Sequence, residues 1–212
     1  MLYRLLNVSC GGTLMRNTNL FVEDVAHEDF LTALIQRLAD AHNIEINITA
    51  SSVRGGHGKV IMELKQYLRD LQHYKEGLPD LIIVGTDSNC KGLSERETEI
   101  NQVTSDLSDL VISMVPEPHI ERWLLLDSEA FKTVFGKGCS VPDQKCERGR
   151  YKNMLLNAIY QATMVFPLEA IEHVEELVNE MNLQRVAQMD RSIDRLLSAL
   201  QRQFRIWQQT ED

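Results

Sequence analysis

The chain has 212 residues, of which 43% are hydrophobic and 25% charged, a composition that excludes disordered, collagen-like and disulfide-framework proteins. No apolar run approaches the roughly 18 residues of a membrane span, and the first segment lacks a signal-peptide core, so a cytoplasmic protein without membrane association is predicted. The net charge of -9 argues against coating nucleic acid by bulk electrostatics, but it leaves open an enzyme that binds phosphate through a local patch and a metal.

Apolar segments with strand character alternate with helical patterns in the first half of the chain. The predicted strands are 19–22, 44–49, 81–84 and 110–115, and the predicted helices between them are 28–41, 59–72 and 94–107. This order predicts an α/β fold with a mostly parallel sheet flanked by helices. After Glu117 the apolar spacing is helical, with breaks near Pro167 and Asn182, which predicts a C-terminal helical extension.

Acidic and polar side chains follow three of the four predicted strands. Glu23 and Asp24 end the first strand, Asp87-Ser88-Asn89 follow the third, and Glu117 closes the fourth. Because ligands bind at the carboxyl ends of parallel strands, we expect these groups to converge on a site. Converging carboxylates repel one another, and a hard cation such as Mg²⁺ resolves that conflict. The alternative is that Glu23 and Asp87 only cap the following helices.

Two segments at these positions, LFVEDVAHEDFL (20–31) and DLIIVGTDSNCKG (80–92), resemble the Toprim domain of topoisomerases, primases and OLD-type nucleases. Toprim proteins carry a Glu after the first strand and an Asp-x-Asp after a later one. Glu23 and Asp87 match this pattern, whereas Asn89 stands in place of the second aspartate. The segment PEPHIERWLLLDSEAF (116–131) is similar to a stretch in small prokaryotic Toprim-like proteins that are often encoded beside ABC/OLD-type ATPases.

The resemblance implies a nuclease, that is, a Mg²⁺- or Mn²⁺-dependent phosphodiester hydrolase, acting as the effector of an ATPase-coupled anti-phage system. It implies catalytic roles for Glu23, Asp87 and Glu121, with Glu23, Asp87, Asn89 and Glu117 as metal ligands. The alternative for Glu117 and Glu121 is that both are solvated surface carboxylates. Nucleic acid would be the substrate, and an ABC/OLD-type ATPase subunit the partner. The alternatives are a non-catalytic regulatory subunit of an ATPase complex, or another Toprim chemistry such as nucleotidyl transfer. The predicted division is an N-terminal extension (1–16), a Toprim-like domain (17–127) and a helical extension (128–212).

Two basic segments are candidates for phosphate binding. The Gly-rich turn RGGHGK, from Arg54 to Lys59, precedes a helix whose first N–H groups can hold a phosphate, although it can also be a plain turn. It is not a Walker A motif, because Val53 and Val60 occupy positions that need Gly and Ser or Thr, so ATP hydrolysis is not predicted. The basic loop, residues 136–152, is the second candidate. It presents Lys145, Arg148, Arg150 and Lys152 to a nucleic-acid backbone.

Four further expectations concern single residues and the two ends of the chain. His27 and His119 are candidate acid–base groups. Cys139 and Cys146 are expected to be reduced loop cysteines. The apolar stripe from Ile193 to Trp207 is expected either to bind a partner, which is an ATPase or a second copy of the chain, or to pack on the sheet. Met15 is a candidate alternative start, with an extra strand at 2–8 as the competing interpretation.

Overall fold

Four parallel strands form one sheet, and they are β1 (Arg16–Val22), β2 (Ile46–Ser52), β3 (Leu81–Gly85) and β4 (Val111–Met114). The computed structural model describes residues 14–74, 77–165 and 173–210. The sheet order is β2-β1-β3-β4, and every pair of neighbours is parallel. The predicted α/β fold with a parallel sheet is therefore confirmed, whereas the strand proposed at 2–8 and the break at Pro167 lie outside the described residues.

Helices occupy most of the remaining described chain. Those between the strands are α1 (Val25–His42), α2 (His57–Tyr74) and α3 (Leu93–Val103), and a 3-10 turn (Ser105–Leu110) precedes β4. Those after β4 are α4 (Ile120–Leu124), α5 (Ser128–Phe135), α6 (Arg150–Thr163), α7 (Val174–Glu180), α8 (Leu183–Met189) and α9 (Arg191–Gln209). The predicted C-terminal helical region is present.

The two faces of the sheet bury two separate apolar clusters. Successive strand residues point to opposite faces, so Leu20 and Ile83 pack against α1 and the C-terminal helices. Phe21 and Val84 pack on the other side against α2 and α3. Since both faces are covered, β3 is buried at all five positions, as its uninterrupted apolar run predicts. Core packing crosses residue 127, because α5 to α9 share one cluster with α1 and the sheet.

The register aligns the strand ends that carry the candidate site. Val22 pairs with Ser52 on one side and with Gly85 on the other, and Gly85 pairs with Met114. The residues that follow β1, β3 and β4 therefore emerge at one level of the sheet. This arrangement brings Glu23 next to Thr86 and Asp87, as the sequence predicts.

The C-terminal stripe is part of the core. Its six apolar side chains are buried, and they are Ile193, Leu196, Leu197, Leu200, Phe204 and Trp207. Helix α9 contacts α1, α8 and β4, and Trp207 also lies beneath the guanidinium of Arg16 at 5.6 Å. The interpretation of the stripe as a partner-docking surface is wrong, because burying it within the chain removes the same apolar area from water.

Candidate active site at the carboxyl ends of β1 and β3

The site lies at the point where the chain reverses its direction across the sheet. From β1 the chain crosses to β2 through α1 on one face, and from β2 it crosses to β3 through α2 on the other face. Helices that leave opposite faces open a crevice outside the carboxyl ends of the two central strands. Glu23 follows β1 and Asp87 follows β3, so both carboxylates lie at this crevice.

Glu23 is held toward β3 by two hydrogen bonds. Its Oε2 accepts from the hydroxyl of Thr86 at 2.8 Å and from the backbone N–H of Asp87 at 3.2 Å. Its own N–H continues the strand ladder by donating to the carbonyl of Gly85 at 3.1 Å. The two side-chain hydrogen bonds both use Oε2. Among the residues that the structure describes, none donates to Oε1, so this oxygen is available to a ligand. It lies 3.6 Å from the point where a Cβ on Gly56 would sit.

The Asp87 carboxylate accepts from three donors. Its Oδ1 lies 3.1 Å from His27 Nε2 and accepts from the N–H of Ile120 at 2.9 Å, and its Oδ2 lies 2.9 Å from His119 Nδ1. Burial by itself would raise the pKa of Asp87, but the charge of His27 and the hydrogen bonds from both histidines outweigh it and lower that pKa. Asp87 is therefore a charged carboxylate with its countercharge supplied by the protein.

His27, in the first turn of α1, lies between the carboxylates of Asp24 and Asp87. Asp24 caps the helix by accepting from the N–H of His27 at 3.1 Å, and its carboxylate lies 2.7 Å from His27 Nδ1. With a carboxylate at each ring nitrogen, the fully buried imidazole is stable as a cation that donates twice. Burial opposes that charge, but the charge of Asp87 and the hydrogen bond to Asp24 prevail and raise the pKa of His27 to about 10.

The loop after β4 and the start of α4 bring His119 and Glu121 close to Asp87. The loops after β3 and β4 run side by side, because Ser88 N–H donates to Pro116 and Asn89 N–H donates to Pro118. His119 then faces Asp87, and the hydrogen bond between them raises the pKa of His119. Burial, and then the charge of Asp87, raise the pKa of Glu121, so this glutamate holds a proton more readily than usual.

Asn89 and Glu117 are the other two predicted metal ligands. Asn89 has a left-handed backbone (φ 51°), a conformation that asparagine tolerates, and its side-chain Nδ2 donates to the carbonyl of Asp87 at 3.3 Å. An ionised aspartate could not make that bond, because it has no hydrogen to donate. The Glu117 carboxylate lies 3.8 Å from the point where a Cβ on Gly92 would sit, at the start of α3.

The Gly-rich turn lies beside Glu23, as its contact with Gly56 shows. Gly55 and Gly56 both have positive φ, and α2 begins at His57. Arg54 and Lys59 are exposed, and Lys59 folds back over Gly55. His57 Nε2 lies 2.8 Å from Glu99, which ties the turn to α3. The turn is therefore placed where it can contact a phosphate bound near Glu23.

The basic loop is attached to the site by a disulfide. Cys146 is bonded to Cys90, the residue after Asn89, so the expectation of a reduced Cys146 is wrong. A separation of 56 residues leaves no local spacing from which that pairing could be recognised. Cys139 is the free cysteine of the described chain, and burial raises the pKa of its thiol to about 11.

The four candidate cations of the basic loop differ in their partners. Lys145 and Arg150 both pair with Asp143. Arg148 and Lys152 are exposed, and neither makes an ion pair with another residue that the structure describes. Arg148 and Lys152 are therefore the members of this set that are available to a phosphate backbone.

The donor atoms at the crevice suit a hard cation. In the described ranges, no three or more His, Cys, Asp or Glu side chains are grouped so as to hold a metal ion. Mg²⁺, however, keeps several waters and is commonly held by one or two carboxylates together with the phosphates of its substrate. Glu23 Oε1 and Asp87 provide two such carboxylates at one crevice, so the residues fit a Mg²⁺ or Mn²⁺ ion of this kind.

Comparisons with protein-family models, with curated proteins and with solved structures found no match to this chain. In the part of the chain that the structure describes, every helix is too short or too polar to cross a membrane.

One residue of the site was missed by sequence reasoning. The sequence pattern identifies Asp24 only as an acid at the end of a strand, yet its side chain orients His27 from the N-cap of α1. A signal was present, because an Asp three residues before a His at a helix start matches the spacing of an N-cap with the N3 position. The pairing of His27 with Asp87 required the packing of α1 against β3, which no local pattern contains.

Proposed function

We propose that the chain is a Toprim-type phosphodiester hydrolase that uses Mg²⁺ or Mn²⁺ to cleave DNA or RNA. The observation that carries this proposal is the pair of carboxylates at the β1–β3 crevice, where Glu23 and Asp87 are joined through Thr86 and the Asp87 N–H. Their positions are those that the Toprim resemblance assigns to metal ligands. The exposed cations of the Gly-rich turn and the basic loop supply contacts for a nucleic-acid backbone.

In this proposal, each residue of the site has a separate chemical role. A bound divalent cation would polarise a water molecule and stabilise charge on the phosphate. Glu23 and Asp87 would hold it, with the amide oxygen of Asn89 as a further donor. Glu121, with its raised pKa, is suited to give a proton to the leaving oxygen. His119 keeps Asp87 oriented through Nδ1.

A second candidate is a non-catalytic subunit of an ATPase complex. The observation that favours it is the Asp87 carboxylate, which is already neutralised by His27 and hydrogen-bonded at both oxygens. A site whose countercharge is built in has less need of a cation. The ABC/OLD-type ATPase partner and the role in anti-phage defence are proposed from the Toprim-like segment 116–131. The apolar stripe of α9 does not supply a surface for an ATPase or for a second copy of the chain, because its side chains are buried.

Glu23→Gln should separate these two candidates. Glutamine keeps an oxygen that accepts from Thr86 and the Asp87 N–H, so only the charge is lost. We expect Mn²⁺ affinity, measured by calorimetry, to fall at least tenfold, and cleavage of a labelled oligonucleotide to fall roughly 100-fold. The melting temperature should stay nearly unchanged.

The matched control is Glu63→Gln, which removes an exposed charge from α2. It should leave Mn²⁺ affinity, cleavage and melting as in the parent. Equal Mn²⁺ affinity in Glu23→Gln and the parent would contradict the metal role of Glu23. A parent protein that binds no Mn²⁺ and cleaves neither DNA nor RNA would favour the non-catalytic candidate.

Asn89→Asp should destabilise the metal-free protein but strengthen its binding of Mn²⁺. The new carboxylate cannot donate to the Asp87 carbonyl, so without metal we expect the free energy of unfolding to fall by about 1 kcal/mol. With Mn²⁺ the added charge should tighten binding and enlarge the rise in melting temperature. Thermal melts with and without Mn²⁺ test both effects. Asn157→Asp, at an exposed position in the middle of α6, is the control and should show neither.

A further inference from the structure

The disulfide between Cys90 and Cys146 joins two segments that surround the candidate site. Cys90 lies three residues after Asp87 in the loop between β3 and α3, and Cys146 lies in the basic loop. The Cα atoms are 5.4 Å apart, within the range of natural disulfides. Both cysteines are exposed, and exposed disulfides are the labile ones that thiols in solution can open and close.

The other contacts of the basic loop hold residues 143–145 more firmly than residues 146–149. Residues 143–145 are held by the Tyr151 hydroxyl, which accepts from Lys145 N–H at 2.6 Å and lies 2.7 Å from the Lys145 carbonyl. Arg122 also donates from Nε to the carbonyl of Asp143 at 3.4 Å. From 146 to 149 the described contacts are the disulfide, the exposed Glu147–Arg150 pair and two backbone hydrogen bonds at the start of α6, in which the carbonyls of Glu147 and Gly149 accept at 3.3 and 3.0 Å. The surface pair contributes little, and both hydrogen bonds are local to the helix start, so the disulfide is the contact that ties this side of the loop to the loop after β3.

We propose that Cys90 and Cys146 form a reversible thiol–disulfide switch that fixes residues 146–148 of the basic loop beside Asn89 when oxidised and releases them from the loop after β3 when reduced. The exposed cation Arg148 belongs to that segment. Opening the disulfide therefore changes where a phosphate-binding cation stands relative to Glu23 and Asp87. The consequence for nucleic-acid binding rests on the proposed function, whereas the switch itself does not.

The oxidant is a small disulfide such as oxidised glutathione. One cysteine of the pair loses its proton, and its thiolate attacks a glutathione sulfur, which breaks the glutathione S–S bond and releases one glutathione thiolate. The second cysteine, deprotonated in turn, attacks the protein sulfur of this mixed disulfide and releases the second glutathione. Two electrons pass from the two protein thiols to one glutathione disulfide, and the two protons end on two glutathione thiols.

Limited trypsin digestion of the full chain, equilibrated in glutathione buffers from fully reduced to fully oxidised, tests the switch. Peptide mapping without reductant gives the fraction of Cys90–Cys146 disulfide, and the cleavage rate after Arg148 reports the freedom of the loop. We expect cleavage at Arg148 to be at least tenfold faster in the reduced protein. Cys90→Ser and Cys146→Ser should each be cleaved at the reduced rate in every buffer, whereas Cys139→Ser should behave as the parent.

Three results would overturn the proposal. They are absence of the Cys90–Cys146 disulfide in the most oxidising buffer, equal cleavage at Arg148 in both states, and an equal acceleration at Arg202 in α9, which would mean general loosening. None of these measurements involves metal or nuclease activity. Failure of the proposed function, seen in Glu23→Gln, and failure of the switch are therefore distinguishable.

Discussion

Asp190→Ala should lower the free energy of unfolding by about 3–5 kcal/mol, the range for breaking a buried ion pair from one side. Asp190 is buried and caps α9, where it accepts from the N–H groups of Ser192 and Ile193 at 2.8 and 3.0 Å. It also pairs with the buried guanidinium of Arg122. The substitution therefore removes the cap and leaves a buried cation unpaired. Urea denaturation at neutral pH measures the loss.

Asp194→Ala is the matched control, because it removes an exposed aspartate from the same turn of α9. Its effect should stay within about 0.5 kcal/mol, as for most surface substitutions. A loss below 1 kcal/mol in Asp190→Ala would show that Arg122 finds another partner or reaches water.

Raising the pH from 6.5 to above 10 should remove on the order of 5 kcal/mol of stability through His27 alone in the metal-free protein. The folded pKa of about 10 lies above the ordinary histidine pKa of 6.5, so the contribution is complete below pH 6.5 and is lost as the pH rises through 10. The groups that face His27 are Asp24 and Asp87, and both stay charged over this range. Urea denaturation at pH 6.5, 8 and 10 gives the slope.

Other groups titrate at alkaline pH, so the informative quantity is the difference between the parent and His27→Gln. The variant should lose much less stability between pH 6.5 and 10 than the parent. Asp87→Asn should also flatten the profile, because it removes one of the two carboxylates that raise the pKa of His27. A parent slope equal to that of His27→Gln would contradict a buried imidazolium.

The strands could be predicted from the sequence only where a local pattern of residues identifies them. The buried run 81–84 and the alternation around Ile46 identify two strands because their periods are clear within a few residues. The start of β1 at Arg16 was missed, since an arginine rarely begins a buried strand. It does so here because Trp207 and Thr210, nearly 200 residues away, cover its side chain.

The site residues, too, could be predicted only where a local pattern identifies them. Glu23, Asp87 and Asn89 could be located because each follows a strand, and strands of a parallel sheet end together. The expected unpaired carboxylate cluster was only partly right, because His27 neutralises Asp87 from a helix that packs beside β3. Removal of Asp87 therefore destabilises the protein whether or not it binds metal, so a lowered melting point in an Asp87 variant does not exclude a metal role.

The core that continues across residue 127 also bears on whether the site can be moved to another protein. A fragment ending at Asp127 would retain every residue of the crevice except the basic loop. It would also expose the faces of α1 and β4 that α7 and α9 now cover. Grafting the crevice alone would require redesign of that face with polar residues, so the smallest portable unit of this architecture includes the C-terminal helices.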